Sequence, residues 1–180
     1  MRKPTLIIVN GPAGSGKTTL AHELARAIPC PAICRDEIKE GMVHAHDGEF
    51  EAAWGDLLTK RTFPLFFEIL RTLVAAGVTV VADAAFQHFN WEPNLAPFAD
   101  LAAIRVVRVR TDRRTARERV EARGARTAHA DGSLLAGLDA GDRYYEDFDY
   151  IRIDAPTLDV DTTSGYEPTF ADIVAFVNDA

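Results

Sequence analysis

The sequence has few cysteines and no long apolar run, and both absences limit what the chain can be. Its two cysteines, Cys30 and Cys34, are too few for a disulfide framework, and lone thiols of this kind are usually buried side chains. No apolar segment approaches the roughly 20 residues needed to cross a bilayer. The N-terminal residues 1–4 show no cleavable signal pattern, so we expect a cytoplasmic protein that does not associate with membranes.

Composition and charge indicate one globular domain over residues 1–180, with 47% hydrophobic and 26% charged residues. The formal net charge of −7 is unevenly spread. Residues 105–126 contain nine arginines and three acids, whereas residues 127–180 contain two arginines and twelve acids. A short basic segment suits a small polyanion better than a nucleic acid duplex, which requires a broad basic face.

The segment Gly11–Thr18 reads GPAGSGKT and fits the phosphate-binding pattern GxxxxGK[ST]. The apolar, β-branched run Thr5–Asn10 before it predicts a buried strand. The residues from Thr18 to Ile28 place their apolar side chains at helical spacing. Strand, glycine loop and helix follow in the order that the motif requires, which distinguishes it from a glycine turn that ends with a chance lysine.

The chemistry of this loop predicts ATP and Mg²⁺ as ligands. Gly11, Gly14 and Gly16 allow backbone N–H groups to turn inward, and the start of the helix adds positive potential. Lys17 reaches the β- and γ-phosphates in such loops, and the Thr18 hydroxyl holds Mg²⁺. The predicted nucleotide-binding residues of the loop are Gly11, Ala13, Gly14, Ser15, Gly16, Lys17, Thr18 and Thr19.

Apolar strands alternate with amphipathic helices along the chain, which predicts a three-layer α/β fold with a five-stranded, mostly parallel sheet. The predicted strands are 5–10, 31–34, 78–82, 104–110 and 150–153, the fourth towards an edge of the sheet. The predicted helices are 18–28, 62–76 with Pro64 in its first turn and Gly77 as C-cap, 113–122 with Asp112 as N-cap, and 168–178. We expect loops or short helices at 41–58 and 84–100 and a loop-rich segment at 124–141.

Two missing motifs indicate to which class of phosphate-loop protein the chain belongs. Asp83, which follows the third apolar strand, is succeeded by Ala84 and Ala85, without the glutamate that activates water in motor ATPases. The tetrapeptide Asn-Lys-x-Asp, the guanine clamp of GTPases, does not occur. Both absences favour a small kinase, in which a hydroxyl compound takes the place of water.

Two aspartates are expected at the carboxyl edge of the sheet, where ligands bind in open α/β folds. Asp36 follows the second strand and is our candidate for the general base that receives the hydroxyl proton. A helix N-cap is the alternative role for Asp36. Asp83 is expected to support Mg²⁺ directly or through water, with a turn at the strand end as the alternative.

The arginine cluster is a further candidate site. Arg119 and Arg123 lie four residues apart and Arg126 three beyond, so one helical face could carry all three. We interpret them as lid residues that close on the triphosphate and stabilise the transferring phosphoryl group, against the alternative of a solvated basic face. Arg113, Arg114 and Arg117 are expected to be surface charges; the sequence leaves open whether Arg126 joins the lid contacts.

Four blocks in this order resemble a family of P-loop kinases: GPAGSGKTTLA at 11–21, RDE with Lys39 at 35–39, VVADA at 80–84 and RVEARG at 119–124. This family includes the 5′-hydroxyl kinase domain of phage polynucleotide kinase, chloramphenicol phosphotransferase and the zeta-toxin-like sugar-nucleotide kinases. The resemblance implies that Asp36 is the general base, and that Lys39 contacts the acceptor or the transferred phosphate. It implies that Arg119 and Arg123 belong to a lid at about 113–132, and that residues 157–163 form a wall of the adenine pocket.

The sequence departs from the family pattern at two places. Lys39 stands where polynucleotide kinases have arginine, and residues 85–91 lack the arginine that many relatives carry there. Both departures weaken the case for a phosphate-bearing or oligonucleotide acceptor. Aromatic and polar side chains after the second and third strands are candidates for the acceptor pocket, unless they are ordinary core or surface residues: Met42, His44, His46, Trp54, Phe86, His88 and Trp91.

The sequence therefore predicts a kinase that transfers the γ-phosphoryl group of ATP to a hydroxyl of a small molecule. Asp36, Lys39, Asp83 and Phe86 are its predicted acceptor-side residues, and Thr18 and Asp83 its predicted metal ligands. Asp36, Lys17, Arg119 and Arg123 are the predicted catalytic residues. Two alternatives remain open, a polynucleotide 5′-hydroxyl kinase and a non-catalytic module whose partner reads the ATP state. The sequence does not indicate the oligomeric state.

Overall fold

The computed structural model describes residues 3–47, 49–124 and 126–179. Met1, Arg2 and Ala180 of the predicted domain, Gly48 of the segment 41–58, and Ala125 of the predicted lid lie outside these residues. The strands are β1 (Thr5–Asn10), β2 (Ala32–Cys34), β3 (Val80–Ala84), β4 (Ala103–Arg110) and β5 (Thr157–Asp161). The helices are α1 (Lys17–Ala27), α2 (Arg35–His44), α3 (Leu57–Ala75), α4 (His88–Leu95), α5 (Arg113–Ala122), α6 (Asp131–Asp139) and α7 (Phe170–Asn178).

The five strands form one sheet in the order β2-β3-β1-β4-β5, and every neighbouring pair is parallel. The predicted α/β class with a five-stranded sheet is therefore confirmed. Parallel pairing brings the carboxyl ends of the strands to one edge, where β1 ends at Asn10, β2 at Cys34 and β3 at Ala84. This edge carries the glycine loop and both aspartates singled out in the sequence.

Helices cover both faces of the sheet. Alternate residues of β1 enter different cores: Leu6 and Ile8 pack with α3 and α4, whereas Ile7 and Val9 pack with α1 and α7. All six residues of β1 are buried, which explains the continuous apolar run in the sequence. The central strand is thereby held rigidly beneath the loop that follows it. Among the described residues, no helix combines the length and apolarity required to cross a membrane.

The fifth strand was predicted at the wrong place. Ile151 of the predicted strand 150–153 is buried, but its N–H donates to the Asn10 side chain (3.1 Å) rather than to the backbone of a neighbouring strand. The strand is Thr157–Asp161, whose polar Asp159 pairs with Arg108 (2.7 Å) and Arg110 (3.1 Å) on β4. Strand β4 is second from one edge of the sheet, and these two arginines reach Asp159 on the edge strand β5.

Four helices also differ from the sequence-based expectations. Helix α3 begins five residues before Thr62, because Asp56 caps it by accepting from the Thr59 N–H (2.7 Å), so Pro64 lies in the helix interior. Helix α2 begins directly after β2, and α6 occupies part of the segment that was expected to be loop-rich. The last helix begins at Phe170, capped by Thr169, so Pro168 precedes it.

Two predicted caps are confirmed. Gly77 adopts a φ of 83° beyond the end of α3, and the N–H groups of Gly77 and Val78 bond back to Val74 and Leu73 at 2.9 and 3.0 Å. Asp112 caps α5 through the Thr115 N–H at 2.9 Å. The second cap fixes the start of the helix that carries Arg119.

Candidate active site

The glycine loop between β1 and α1 is tightly enclosed by backbone. Gly14 and Gly16 have φ angles of 77° and 83°, in the left-handed region that side chains disfavour. A Cβ atom at Gly14 would lie 2.3 Å from the Ala116 carbonyl oxygen, and one at Gly11 would lie 2.4 Å from that of Val109. Gly14 therefore requires glycine for both space and conformation, Gly11 for space, and Gly16 for conformation.

Lys17 is buried at the first position of α1, at the end of the glycine loop. No carboxylate of the described ranges lies within 4.0 Å of its ammonium group in an ion pair, although its charge acts on both Asp36 and Asp83. A buried cation without an ion-pair partner is expensive unless an anion joins it. Its position at a helix N-terminus fits a phosphate group.

Thr18 and Asp83 form a pair of oxygen ligands beside the loop. The Thr18 hydroxyl donates to Oδ2 of Asp83 (2.6 Å), while Oδ1 is buried without a hydrogen-bond partner among the described residues. Burial raises the pKa of Asp83, against the opposing effects of the Lys17 charge and the Thr18 hydrogen bond. A hydroxyl, an unsatisfied carboxylate oxygen and the expected phosphates match the hard oxygen ligands of Mg²⁺. These residues therefore fit the predicted cation.

Asp36 lies in the first turn of α2, at the floor of an open cleft that also reaches the glycine loop through Ala13. Its Oδ1 accepts from the Arg35 guanidinium at 3.1 Å. The alternative role as N-cap is wrong, because Cys34 holds that position without a side-chain cap bond. Burial opposes ionisation of Asp36, but the charges of Lys17, His129 and Arg35 outweigh it and hold the pKa below its usual range.

The chain beyond α5 brings a second cation to Asp36. Arg126 lies after the positive-φ residue Gly124, outside the helix, so the predicted single helical face does not carry all three arginines. Its Nη1 atom lies 3.7 Å from Oδ2 of Asp36, and its Nε donates to Asp131 at 2.8 Å. Arg123 also binds Asp131 (2.7 Å) and does not line the cleft. Of the two arginines, Arg126 is therefore the one beside the candidate base.

Arg119 contacts the other side of the glycine loop. Its guanidinium donates to the Gly14 carbonyl (3.4 Å), the Thr162 carbonyl (2.6 Å) and the Thr162 hydroxyl (3.2 Å). Thr162 is buried directly after β5 and donates to the Ser15 carbonyl at 2.6 Å. Residues 157–163, predicted to form a wall of the adenine pocket, comprise β5 and the two residues after it. Of these two, Thr162 holds Arg119 beside the loop. Their contact with adenine stays a prediction.

Most of the arginine cluster is neutralised within the described part of the molecule. Seven of its nine arginines pair with carboxylates: Arg108, Arg110, Arg113, Arg114, Arg117, Arg123 and Arg126. Arg105 instead packs on the Phe176 ring and donates to the Asp179 carbonyl. Arg119 is therefore the one cluster member at the loop whose charge is not balanced by a carboxylate of the described residues.

Lys39 is held by a residue that the sequence did not single out. Its ammonium group donates to Oδ2 of Asp56 at 2.6 Å, lies 5.5 Å from the centre of the Phe50 ring, and is buried. Asp56 also caps α3, so the ion pair ties α2 to α3 at the cleft wall. Asp56 thus balances the charge of Lys39. The implied contact of Lys39 with the acceptor stays a prediction.

The cleft beyond the glycine loop has a volume of about 540 Å³. Trp54 and Phe86 line it as predicted, and Trp54 is 70% exposed at its rim. Trp91 is instead fully buried, packed on Phe66, Phe67 and Phe86 beneath the wall. Met42, His44, His46 and His88 do not belong to the lining. Lining residues that the sequence did not indicate include Arg35, Phe63, Phe89, His129, Asp131 and Tyr144.

Two partly buried hydrogen bonds connect the lining of the cleft to the end of β1 and to the glycine loop. Asn10, the single amide in the otherwise apolar strand β1, donates to the Phe86 carbonyl at 2.7 Å and thereby orients that segment. The Ala13 N–H donates to the Tyr144 hydroxyl at 3.1 Å, and burial raises the pKa of Tyr144 to about 12. A polar residue at the end of a buried strand was a detectable signal for Asn10, whereas nothing local marked Tyr144.

These features define the class of a P-loop nucleotide-binding fold with a cleft beside the loop. A family model described as "AAA domain" matches residues 6–147. The chain belongs to this family, and the resemblance to small P-loop kinases inferred from the sequence is confirmed. No protein of curated function matches the sequence.

Solved structures share the fold. A provisionally assigned kinase from Chloroflexus aurantiacus J-10-fl is 23% identical, with a TM-score of 0.82 over 98% of both chains. The Mycobacterium tuberculosis APS kinase, solved with AMPPNP and APS, is 16% identical, with a TM-score of 0.66 over 98% of both chains. A gluconokinase from Sinorhizobium meliloti 1021 is 20% identical, with a TM-score of 0.54 over 98% of this chain and 91% of its own.

Proposed function

We propose that the protein is an ATP-dependent phosphotransferase that transfers the γ-phosphoryl group of ATP to a hydroxyl of a small molecule. The observation that carries this proposal is the position of Asp36, at the floor of a cleft that reaches the glycine loop. A donor site and an acceptor site are thereby adjacent, with an ionised carboxylate between them. Phosphoryl transfer depends mainly on this kind of alignment and on charge stabilisation.

In the proposed reaction the acceptor oxygen forms a bond to the γ-phosphorus. The bond from that phosphorus to the β,γ-bridging oxygen breaks, ADP leaves, and Asp36 accepts the hydroxyl proton. A carboxylate with a lowered pKa is a weak base, but phosphoryl transfer through a loose transition state makes little demand for early deprotonation. Asp36 therefore acts chiefly by orienting the hydroxyl and by receiving its proton late.

Cations on both sides of the loop would stabilise the charge on the transferring group. Lys17 supports the β- and γ-phosphates, Arg119 approaches from the side of Thr162, and Arg126 approaches from the cleft. Thr18 and Asp83 would hold Mg²⁺, which neutralises phosphate charge when it is bound. We assign Arg123 a structural role, because its bond to Asp131 joins the end of α5 to the start of α6.

The lining of the cleft supports a small acceptor with an apolar part. Phe63, Phe86, Phe89 and Trp54 contribute aromatic rings to this lining, which also includes the basic residues Arg35, Lys60 and Arg126. A volume of about 540 Å³ suits a metabolite-sized compound. The ion pairs across the arginine cluster leave little free positive charge for a nucleic acid backbone, which weighs against the polynucleotide alternative.

The direct test is a search for phosphorylated products by mass spectrometry. The enzyme with ATP and Mg²⁺ would be incubated with a metabolite extract, a panel of sugar, nucleoside, aminoglycoside and phenicol alcohols, and a 5′-hydroxyl oligonucleotide. The Asp36→Asn variant serves as the blank, since Asn keeps the size of the side chain but cannot accept the proton.

A small-molecule product that is absent from the blank is expected and would identify the acceptor. Phosphorylation of the oligonucleotide alone would replace the proposal with the polynucleotide kinase. ATP binding without any product would favour the non-catalytic module and count against the proposal.

A further inference from the structure

A cluster of three different metal-binding groups lies outside the phosphoryl-transfer residues. His22 of α1, Cys34 at the end of β2 and Glu37 of α2 offer ligand atoms that all lie within 4.8 Å of one another. It is the one group of three or more such residues found in the part of the chain that the structure describes. Cys34 and Glu37 are close in sequence, at the start of α2, and the packing of α1 brings His22 to them.

The distance between the sulfur and nitrogen ligands fits a tetrahedral zinc site. Zinc bonds of about 2.3 Å to sulfur and about 2.0 Å to nitrogen, at a tetrahedral angle, place the two ligand atoms about 3.5 Å apart. The Cys34 Sγ and His22 Nε2 atoms are 3.7 Å apart. The sulfur and nitrogen ligands are therefore already at the spacing that the ion requires.

The third ligand needs only a small movement. Oε1 of Glu37 lies 2.6 Å from His22 Nε2, in a hydrogen bond. Zinc between them would widen this separation to about 3.3 Å. The Glu37 side chain is 46% exposed, so it can rotate, and His22 is 35% exposed, so an ion can enter from solvent. Cys34 is only 2% exposed and forms the floor.

The donor atoms of this cluster differ in chemical type from those of the predicted magnesium ligands. A thiolate and an imidazole favour transition metals such as zinc, whereas the hydroxyl and carboxylate of Thr18 and Asp83 favour Mg²⁺. We propose that His22, Cys34 and Glu37 bind a zinc-class divalent cation, with water as the fourth ligand. The Cys34 thiol loses its proton to solvent when its sulfur binds the ion.

The test measures binding and does not depend on the proposed activity. Metal-free protein is titrated with Zn²⁺ in competition with a chromophoric chelator, in the presence of excess Mg²⁺. One Zn²⁺ per chain is expected. Cys34→Ser and His22→Gln should each weaken the affinity by roughly tenfold or more. Cys30→Ser and His46→Gln are the matched controls, because they remove a thiol and an imidazole outside the cluster and should leave the affinity unchanged.

Two further measurements test whether Cys34 and His22 themselves bind the ion. Co²⁺ in place of Zn²⁺ should give the near-ultraviolet charge-transfer absorption of a cobalt–thiolate bond, and Cys34→Ser should remove it. Since His22 is partly exposed, His22→Gln should retain the melting temperature of the metal-free protein while losing the stabilisation that Zn²⁺ adds. Failure of the wild-type protein to bind Zn²⁺, unchanged affinity in Cys34→Ser, or persistence of its cobalt band would overturn the proposal.

Discussion

The Nη1 atom of Arg126 lies 3.7 Å from the carboxylate of Asp36, while Arg123, three residues earlier, is bound to Asp131 at 2.7 Å. Helix α5 ends at Ala122 and the chain turns at Gly124, which has a φ of 71°. This turn releases Arg126 from the helical face and directs it towards the candidate base. Both arginines bind Asp131, but of the two it is Arg126 that also lies beside Asp36.

We expect Arg126→Ala to lower kcat by about tenfold or more, because a cation beside the transferring group is lost. Arg123→Ala should have a smaller effect, since Arg126 still binds Asp131. Steady-state kinetics with the acceptor found by mass spectrometry would compare the two variants. An Arg123 effect equal to that of Arg126 would support the sequence-based assignment of Arg123 over the geometry.

A second prediction concerns pH. Burial opposes the ionisation of Asp36, but Lys17, His129 and Arg35 hold its pKa below the ordinary value, so the carboxylate stays a base as pH falls towards about 3.9. Arg35→Gln removes one of these cations and should raise the pKa of Asp36. The acid limb of kcat should then move to higher pH than in the wild type.

Both pH profiles would be measured with identical ATP and acceptor concentrations, so that titration of the substrates is common to both. An acid limb that stays in place in Arg35→Gln, or moves to lower pH, would contradict the electrostatic account of Asp36.

A third prediction contrasts two glycines. Gly14→Ala brings a Cβ to 2.3 Å from the Ala116 carbonyl at a φ of 77°, and strain of about 1–3 kcal/mol should weaken ATP binding by roughly 5- to 150-fold. Gly41→Ala lies in α2 with no atom within 4 Å of the new Cβ, so it should leave ATP binding intact. It should also stabilise the protein by about 0.5–1 kcal/mol.

Calorimetric titration with ATP and thermal melting would check both variants. Equal ATP affinity in Gly14→Ala and wild type would show that the loop does not need this glycine to bind nucleotide.

A fourth prediction concerns the rim of the cleft. Trp54 and Phe89 are 70% and 65% exposed, and covering either with an apolar acceptor should contribute about 1.5–3 kcal/mol. Trp54→Ala and Phe89→Ala should therefore raise the acceptor KM by about tenfold or more, without changing the Kd for ATP. Leu57→Ala is the matched control, since Leu57 is 68% exposed but does not line the cleft. Unchanged acceptor KM in both aromatic variants would place the acceptor elsewhere.

Local sequence patterns were sufficient for the nucleotide side of the molecule. Strand β1 occupies residues 5–10 as predicted, and Asp112 caps α5, because burial periodicity and capping are properties of neighbouring residues. They failed at β5, where Asp159 is accommodated by Arg108 and Arg110 some fifty residues away. An edge strand that depends on such distant ion pairs looks like a polar loop when it is read alone.

The acceptor side was less predictable for the same reason. Tyr144 reaches the loop at Ala13 from 131 residues away, and Asp56, the N-cap of α3, holds Lys39 from 17 residues away. His129 comes to Glu40 (2.9 Å) from a segment that carries no periodic signal. Contacts of this kind follow from the sheet order and the chain path, which single-residue patterns do not encode.

The most direct measurement is a comparison of ATP affinity and turnover in Asp36→Asn. Because Asp36 lies on the acceptor side of the loop, the Kd for ATP should stay within a few-fold of the wild type, while kcat falls by about 100-fold or more. Calorimetry gives the first value and the rate of product formation gives the second. Wild-type turnover in Asp36→Asn would contradict the central claim that this carboxylate receives the acceptor proton.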